Sequence, residues 1–369
     1  MPSTARYASI LLYALFLFTA CSPKLEKTTH RWFGMDTDFS ATLYESGKGN
    51  SGESGREKKP AKPDRVFAQL ERESARLEQV FSDYLPGSSL SRLLGRMGDT
   101  LTTEPEIMEV FRAAEDMAVA SQGSFDITLH DLKIAWGLSS DDSNRIPTNP
   151  ELAVAMRGNP TYGSPPDRDA SVRPAFRLLP DNRLVLLRDS AVFDLGGIAK
   201  GYVVDRLHAL LDSLGHPNHI VTAGGDLRVG GRKGKEPWVL GIRHPRETGS
   251  LAGTLKLDSA LAISTSGDYE RFFIRDGIRY HHIFDPRTGM PSRTSASVTV
   301  LAATSLMADR LTKPLFILGP EKGAGLLRRF GAKAVWMREI GDGKLCYVPS
   351  EELEKVLTMR GVEVCKESD

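Results

Sequence analysis

The stretch SLMADRLTKPLFILG, residues 305–319, places a carboxylate and an ammonium group four positions apart. On a helix Asp309 and Lys313 would be neighbours, because side chains at i and i+4 share one face. Pro314 follows directly, and a proline lacks the N–H group that the interior of a helix needs. Two interpretations are open: an ordinary surface ion pair near a fraying helix end, or a ligand site in an altered form.

The stretch VFDLGGIAKGYVVD, residues 192–205, is typical of a turn that joins a strand to a helix. We expect the strand to end at Asp194, two glycines to turn the chain, and the helix to begin near Ile198. Glycines let a ligand approach the backbone closely, and the N-terminus of a helix favours an anion. Lys200 could add a point charge to a bound phosphate. A glycine-rich turn with a solvated lysine is the alternative.

The stretch HHIFDPRTGMP, residues 281–291, places two histidines, a carboxylate and an arginine ahead of a turn marked by proline and glycine. These residues can serve only to form the turn, or one of them can act as a general base beside a substrate. His282 is the stronger candidate for such a base, because it directly precedes the strand-like pair Ile283-Phe284. A lone histidine is more often structural, so spacing by itself does not decide.

Composition limits the classes of protein to which the chain can belong. Its 369 residues are 40% hydrophobic and 26% charged, which is ordinary for one large domain or two closely packed ones. The formal net charge is +1, and the densest basic run, residues 56–62, lies in a polar segment. We therefore expect no nucleic-acid partner, since such proteins usually carry a basic patch or stripe.

Hydrophobic periodicity predicts the elements that must position these groups. Strands are expected at 39–44, 191–194, 219–223, 238–243, 254–263 and 297–302, with a hairpin turn at 180–182. Helices are expected at 65–81, 107–120, 151–156, 198–214, 305–316 and 321–330. Strands and helices alternate without a regular β-α-β rhythm, so the predicted fold class is α+β.

The N-terminus has the features of a secretory signal. Arg6 precedes the apolar run Ile10 to Phe18, and Thr19-Ala20-Cys21 resembles the lipobox of bacterial lipoproteins. We predict a lipoprotein signal peptide over residues 1–21, lipidation of Cys21 and a tether over 22–31. An ordinary cleaved signal or an uncleaved anchor is the alternative. The folded body is expected in the periplasm of a bacterial cell envelope, lipid-anchored to a membrane.

Two further features concern the rest of the chain. Residues 45–64 and 139–170 are polar and rich in glycine, serine or proline, so we predict flexible loops there.

Cys346 and Cys365 could form a disulfide in an oxidising compartment, but the sequence does not give their distance, and free thiols are as good an interpretation. Neither cysteine has the spacing of a zinc site.

Five motifs, taken together in one order, resemble the ApbE family of FAD:protein FMN transferases. They are DLGGIAKGY (194–202), AGGD (223–226), TSGDY (265–269), HIFDPRTG (282–289) and MAD (307–309). The resemblance runs from about Trp32 to about Gly319. It implies one ApbE-like, T-fold-like domain over residues 32–369, built of largely antiparallel sheets with packed helices.

The resemblance also implies a reaction. Family members use FAD as substrate with a divalent ion, normally Mg²⁺, and transfer FMN to a Ser or Thr hydroxyl of a partner protein with release of AMP. Typical acceptors are flavoprotein subunits of membrane redox complexes and exported flavoproteins. Two other hypotheses are a degenerate, non-enzymatic FAD-binding lipoprotein and an FAD pyrophosphatase that yields FMN and AMP.

Family positions transfer to this sequence residue by residue. The resemblance implies catalytic or phosphate-side roles for His282 and Asp285, with His282 as acid or base. It implies a metal site at Gly197 and Asp309. It implies contacts with the FAD substrate at seven further residues: Met35, Tyr84, Ser124, Phe125, Asp126, Asp194 and Lys200.

Two departures from the family pattern bear on the metal. The family's metal-binding Thr, four residues after Asp309, is replaced by Lys313, which would pair with Asp309 or occupy the place of the ion. Thr312 is a possible substitute if Pro314 distorts the helix, although it is one residue early and about 100° around the helix. Asp36 replaces a family glycine, where it would repel phosphate or furnish an oxygen to a displaced metal.

Overall fold

The computed structural model of the protein describes residues 25–46, 61–94, 96–138, 144–157, 159, 174–188, 192–341 and 343–366. The predicted signal peptide, the lipidation site Cys21 and most of the two predicted loops lie outside these residues. Within the described part, no helix is both long enough and apolar enough to cross a bilayer.

The described residues contain helices and short strands in mixed order. The α-helices are α1 (Pro63–Phe81), α2 (Pro105–Ala120), α3 (His130–Ala135), α4 (Asn149–Ala155), α5 (Ala199–Ser213) and α6 (Ser305–Phe330), and 3₁₀ turns lie at Ser91–Leu93 and Leu353–Lys355. The strands up to residue 243 are β1 (Leu25–Gly34), β2 (Thr37–Ser46), β3 (Thr100–Thr102), β4 (Phe176–Leu179), β5 (Arg183–Leu186), β6 (His219–Ala223), β7 (Asp226–Val229) and β8 (Trp238–Arg243). The later strands are β9 (Leu251–Leu257), β10 (Ala262–Gly267), β11 (Phe272–Arg275), β12 (Ile278–His281), β13 (Ser297–Ala302), β14 (Lys333–Glu339), β15 (Leu345–Pro349), β16 (Leu357–Met359) and β17 (Glu363–Val364).

A nine-stranded sheet forms the centre of the domain, in the order β1-β2-β6-β7-β10-β13-β14-β15-β17. Its pairs are antiparallel except the last, β15 with β17. Three small sheets accompany it, ordered β16-β9-β8, β3-β5-β4 and β11-β12. The predicted α+β class with largely antiparallel sheets is confirmed.

Strand β13 shows why the central sheet is covered on both faces. Successive side chains of a strand point to opposite faces, and every residue of β13 is buried. Val298 and Val300 pack in the core beneath α5 and α6, whereas Leu301 packs in a second core with β8 and β9. Helices therefore cover one face of the sheet and the β16-β9-β8 sheet covers the other.

The close approach of α5 to α6 depends on a glycine. A Cβ at Gly201 would lie 2.4 Å from the carbonyl oxygen of Ser305 and 2.7 Å from Cβ of Asp309, distances that no side chain could occupy. Because Gly201 is in the first turn of α5, the N-terminal turns of both helices meet. This contact joins residues about a hundred positions apart in the chain.

Helix α6 continues through Pro314, the proline that suggested a break. Its backbone stays helical at Lys313 and Pro314, and leaves helical geometry only at Gly319, where φ is 74°. The two predicted helices, 305–316 and 321–330, correspond to the two halves of α6, which the non-helical Gly319 separates. The distortion at Lys313 that could have brought Thr312 toward the metal position is absent.

Several boundaries differ from the prediction. Residues 25–31, predicted as tether, belong to β1, which pairs with β2 through a tight turn. Residues 192–194 form no strand, and the predicted strand 254–263 is divided into β9 and β10. Within the predicted loop 45–64, residues 45–46 extend β2 and residues 63–64 begin α1. The hydrophobic periodicity of a single segment does not fix the ends of these strands, because pairing with other strands decides where a strand stops.

The two C-terminal cysteines are joined. Cys346 on β15 forms a disulfide with Cys365, and the Cα atoms are 4.8 Å apart. The bond fastens the C-terminal segment to the edge of the central sheet. Of the two possibilities that the sequence left open, the structure therefore has the bridge.

Candidate functional site

Asp194 lies in the turn before α5 and is held from two sides. Its Oδ1 accepts a hydrogen bond from the backbone N–H of Gly196 at 2.8 Å, and its Oδ2 is 2.6 Å from Nζ of Lys133 in α3. Burial acts to raise the pKa of Asp194, but the Lys133 ammonium outweighs it and brings that pKa to about 2. Asp194 is therefore an anion at neutral pH, beside the α5 N-terminus.

Asp309 lies in the first turns of α6 and is completely buried. Its Oδ1 is 2.8 Å from Nζ of Lys313, and its Oδ2 accepts the backbone N–H of Gly201 at 3.1 Å. Burial acts to raise the pKa of Asp309, but the charges of Lys313 and Lys200 outweigh it and keep that pKa below its ordinary value. Both oxygens of this carboxylate thus have protein donors.

Lys200 connects the α5 turn to strand β7. Its Nζ donates to the carbonyl oxygen of Gly196 at 2.7 Å and is 3.6 Å from Oδ2 of Asp226. The hydroxyl of Ser264 donates to the other carboxylate oxygen of Asp226. Burial and then the nearby Asp309 charge raise the pKa of Asp226 to about 6. Burial acts to lower the pKa of Lys200, and the surrounding carboxylates outweigh it, so that this pKa is raised.

These groups form one site, which we call the charge cluster. It contains three carboxylates and three ammonium groups, namely Asp194, Asp226, Asp309, Lys133, Lys200 and Lys313. At neutral pH their charges sum to zero. The helix N-terminus and the lysines can together hold an anionic diphosphate.

His282 lies beside the charge cluster. Its backbone N–H and its Nδ1 are 3.1 and 3.3 Å from the carbonyl oxygen of Arg271. Because a carbonyl oxygen only accepts, Nδ1 carries the hydrogen and Nε2 presents a lone pair. Burial, followed by the neighbouring charges of His281, Lys133 and Lys313, lowers the pKa of His282 to about 3. The imidazole is neutral at pH 7.

Asp285 makes contacts within the turn that follows His282, and its implied phosphate-side role stays a prediction. Its Oδ1 accepts the backbone N–H and Nε–H of Arg287, both at 3.0 Å, and its backbone carbonyl accepts the N–H of Gly289 at 2.8 Å. Trp136 donates its indole N–H to the carbonyl of Gly289 at 2.9 Å. The observed contacts of Asp285 therefore hold the turn that follows His282, and do not reach the charge cluster.

Met35 and Tyr84 are brought together by a residue that the sequence analysis did not select. Oε1 of Glu78 in α1 accepts the backbone N–H of Met35 at 3.0 Å and the hydroxyl of Tyr84 at 2.6 Å. Tyr84 is 55% exposed, so its ring is accessible to a ligand. Burial and the Glu78 hydrogen bond raise the pKa of Tyr84 to about 12.

Asp36 forms an ion pair with Arg271. This ion pair accounts for the carboxylate without a role in repelling phosphate or in binding a displaced metal. Arg271 is the residue whose carbonyl orients His282. We call five residues the rim, of which Asp36, Tyr84 and Arg271 are exposed and Met35 and Glu78 are half-buried. The rim joins the β1–β2 turn to the segment that carries His282.

The segment 124–126 is partly internal. Ser124 and Phe125 are buried, and Phe125 packs in the main core. Oδ1 of Asp126 accepts the N–H and the hydroxyl of Thr128, both at 2.7 Å. Burial raises the pKa of Asp126 to about 6, against the Thr128 hydrogen bonds, which lower it. No described side chain partners the hydroxyl of Ser124, which leaves its hydrogen-bonding capacity free.

The residues at the expected metal position do not fit a divalent ion. Both oxygens of Asp309 are taken by Lys313 and Gly201. Thr312 faces away: its hydroxyl donates to the Asp309 carbonyl at 2.7 Å and accepts from Ser266 at 2.8 Å. A Cβ at Gly197 would lie 3.3 Å from Cε of Lys313, so the lysine stem already covers this glycine. Magnesium requires hard oxygen ligands in near-octahedral order, and an ammonium group supplies none.

Sequence reasoning thus selected part of the cluster and missed the rest. Asp194, Lys200, Asp309 and Lys313 are together, with His282 next to them. Lys133 and Asp226 were not selected, although both lie in stretches dense in glycine and acidic residues, 121–137 and 222–231. Charge balance around the carboxylates calls for a further lysine, and only the fold shows that it is Lys133.

Comparison with known proteins gives a consistent result. Residues 35–336 match the ApbE family. The chain is 32% identical to an FAD:protein FMN transferase of Rhodobacter capsulatus over 256 residues, 68% of this chain and 46% of that protein, so it spans less than half of that relative. It is 31% identical to an FAD:protein FMN transferase of Treponema pallidum over 276 residues, 72% of this chain and 73% of the relative. The crystal structure of an ApbE protein from Thermotoga maritima superposes with a TM-score of 0.74 at 28% identity, covering 90% of this chain and 99% of that one.

Proposed function

The chain belongs to the ApbE family, and on that premise we propose that it transfers FMN from FAD to a Ser or Thr hydroxyl of a partner protein, releasing AMP. The observation that carries the proposal is the buried charge cluster at the N-terminus of α5 with a neutral His282 beside it. The names of the relatives support the same reaction.

The proposed reaction exchanges one phosphorus–oxygen bond for another. The acceptor hydroxyl oxygen forms a bond to the FMN-side phosphorus of the diphosphate. The bond from that phosphorus to the bridging oxygen breaks, and the bridging oxygen leaves with AMP. The hydroxyl proton goes to Nε2 of His282, the ring nitrogen that the Arg271 carbonyl leaves free.

The low pKa of His282 fits this role once substrate is bound. In the free protein, burial and then the charges of His281, Lys133 and Lys313 lower the pKa to about 3. The anionic diphosphate of FAD would offset those charges, so the pKa of His282 should rise on binding and Nε2 should become a better proton acceptor. Lys200 and the α5 N-terminus supply the donors that hold the diphosphate.

The rim is the proposed binding site for the flavin end of FAD. Tyr84 is exposed and Met35 is fixed beside it by Glu78. An aromatic ring and a thioether suit contact with a planar, polarisable ring system. Asp126 and Ser124 are proposed as further polar contacts, the latter because its hydroxyl has no partner among the described residues.

Magnesium is the family's expected ion, but the residues at Gly197, Asp309 and Lys313 do not fit it, so the proposed reaction does not use it.

For the cell, we propose that the residues before Cys21 are removed, that Cys21 is lipidated and that the body lies in the periplasm. The Cys346–Cys365 disulfide supports an oxidising compartment. A Cys21→Ser variant that still fractionates with membranes would contradict the lipid anchor.

The direct test incubates the protein with FAD and a flavoprotein domain that carries an acceptor Thr, and measures covalent flavin and AMP. We expect both in equal amounts. AMP without covalent flavin would indicate a pyrophosphatase, and intact FAD would indicate a binding protein.

His282→Gln should lower transfer at least tenfold while FAD still binds. The control is His30→Gln in β1, where His30 pairs with Glu71, and this change should leave the rate of transfer unaltered.

A further inference from the structure

The strongest remaining feature is the position of the Lys313 ammonium group. It is 2.8 Å from Asp309, and the lysine stem covers Gly197. These are the two residues at which the family resemblance implies a divalent ion. We propose that Lys313 occupies the position of that ion and supplies its positive charge, so that the chain acts on FAD without a divalent cation. The substrate in this inference rests on the proposed function.

The second carboxylate oxygen of Asp309 supports the proposal. It accepts the backbone N–H of Gly201 at 3.1 Å, which fixes the carboxylate against α5. Lys313 and Gly201 together satisfy Asp309, and the group needs no further cation. The hydroxyl that could have served as another metal ligand, that of Thr312, is engaged with the Asp309 carbonyl and Ser266.

The balance of charges in the cluster also supports the proposal that Lys313 takes the place of the ion. The cluster has three carboxylates and three ammonium groups and is neutral as it stands. A divalent ion added next to Lys313 would leave an excess of two positive charges in a largely buried site, where like charges repel strongly. Removal of the Lys313 charge would leave one negative charge, and a divalent ion would then be attracted. The lysine and the ion are therefore alternatives.

The accessibility of the two partners fits a role in substrate binding. The Asp309 side chain is fully buried, whereas 21% of the Lys313 side chain is exposed. An ammonium group has three donors, so it can keep one on Asp309 and direct others to phosphate oxygens. Lys313 thus presents to the substrate the positive charge that Asp309 holds in place.

The first test measures metal binding and does not depend on turnover. The full-length protein in detergent is stripped with EDTA, dialysed, and titrated with Mn²⁺ alone while the electron paramagnetic resonance signal of free Mn²⁺ is followed. We expect no tight site in the wild-type protein and one site per chain in Lys313→Thr. The matched control is Lys322→Thr, an exposed lysine on the same helix, which should behave as wild type.

The second test measures AMP release and flavin transfer with EDTA or with Mg²⁺. Wild-type rates should agree within about twofold, whereas Lys313→Thr should lose at least tenfold in EDTA and regain activity with Mg²⁺. A wild-type protein that binds one Mn²⁺ per chain, or that needs Mg²⁺ for turnover, overturns the proposal. If no condition gives AMP or covalent flavin, the proposed function fails and the Mn²⁺ titration alone decides this inference. If Lys313→Thr does not fold, the wild-type measurements decide it.

Discussion

The charge cluster and the rim both use carboxylates paired with cations, but in opposite surroundings. In the cluster the side chains of Asp309 and Asp226 are 0% and 3% exposed. In the rim the side chains of Asp36 and Arg271 are 60% and 48% exposed. Water screens the rim pair, whereas each cluster charge depends on its partners.

This difference in exposure indicates which ion pairs stabilise the site. Breaking a buried ion pair commonly costs about 3–5 kcal/mol because one charge is left uncompensated, whereas an exposed pair contributes about 0–1 kcal/mol. We therefore expect the cluster to control both folding and phosphate chemistry. The rim should control the orientation of what binds, with little effect on stability.

The largest effect is expected for Lys313→Met. This change removes the cation beside fully buried Asp309 and should lower the free energy of unfolding by about 3 kcal/mol at pH 7. Urea unfolding followed by circular dichroism measures it, with exposed Lys322→Met as the control. Asp309→Asn added to Lys313→Met should recover part of the loss. A loss below about 1 kcal/mol in the single variant would show that the cluster pair is no stronger than a rim pair.

Asp194→Asn tests the cluster by its pH dependence. The folded-state pKa of Asp194 is lowered to about 2, so its contribution is present above the ordinary value near 3.8 and is lost as the pH falls toward 2. Wild type should exceed the variant by about 2 kcal/mol at pH 7 and by almost nothing near pH 2. Unfolding curves across this range give the difference, and a difference independent of pH would contradict the assignment.

Asp126→Asn should show the opposite slope, because at Asp126 burial outweighs the Thr128 hydrogen bonds and the Arg188 charge. Its pKa is raised to about 6, so the stabilising form is the neutral acid, which is lost as the pH rises through 6. Relative to the variant, wild type should lose up to about 2 kcal/mol between pH 4 and pH 7. The asparagine can still accept from Thr128, which isolates the charge. Unfolding free energies that stay parallel over this range would refute the prediction.

The smallest effect is expected in the rim, for Asp36→Gly. The change removes the pair with Arg271 but also removes a non-glycine residue at φ 55°, and the two effects oppose each other. The net change in unfolding free energy should be within about 0.5 kcal/mol. Asp276→Gly, at φ 52° in the turn between β11 and β12, is the matched control for the backbone effect. A loss above about 1 kcal/mol relative to this control would place the rim pair on a level with the cluster.

The sequence by itself determined much of the local structure. Strand β2, helices α1, α2 and α5 and the β4–β5 hairpin follow from hydrophobic period and turn residues within one segment. The pairing of Lys313 with Asp309 was one of the alternatives that i,i+4 spacing offered, because a helix fixes that distance. The five motifs also indicated the family without any three-dimensional information.

Only the tertiary structure decided how these segments combine. Lys133 meets Asp194, Gly201 donates to Asp309, and Glu78 joins Met35 to Tyr84, all across long separations in the chain. The assignment of residues 25–31 to β1 and the Cys346–Cys365 bridge depend likewise on sheet pairing. Periodicity describes the face of one element, whereas a charge becomes strong or weak according to which other elements exclude water from it.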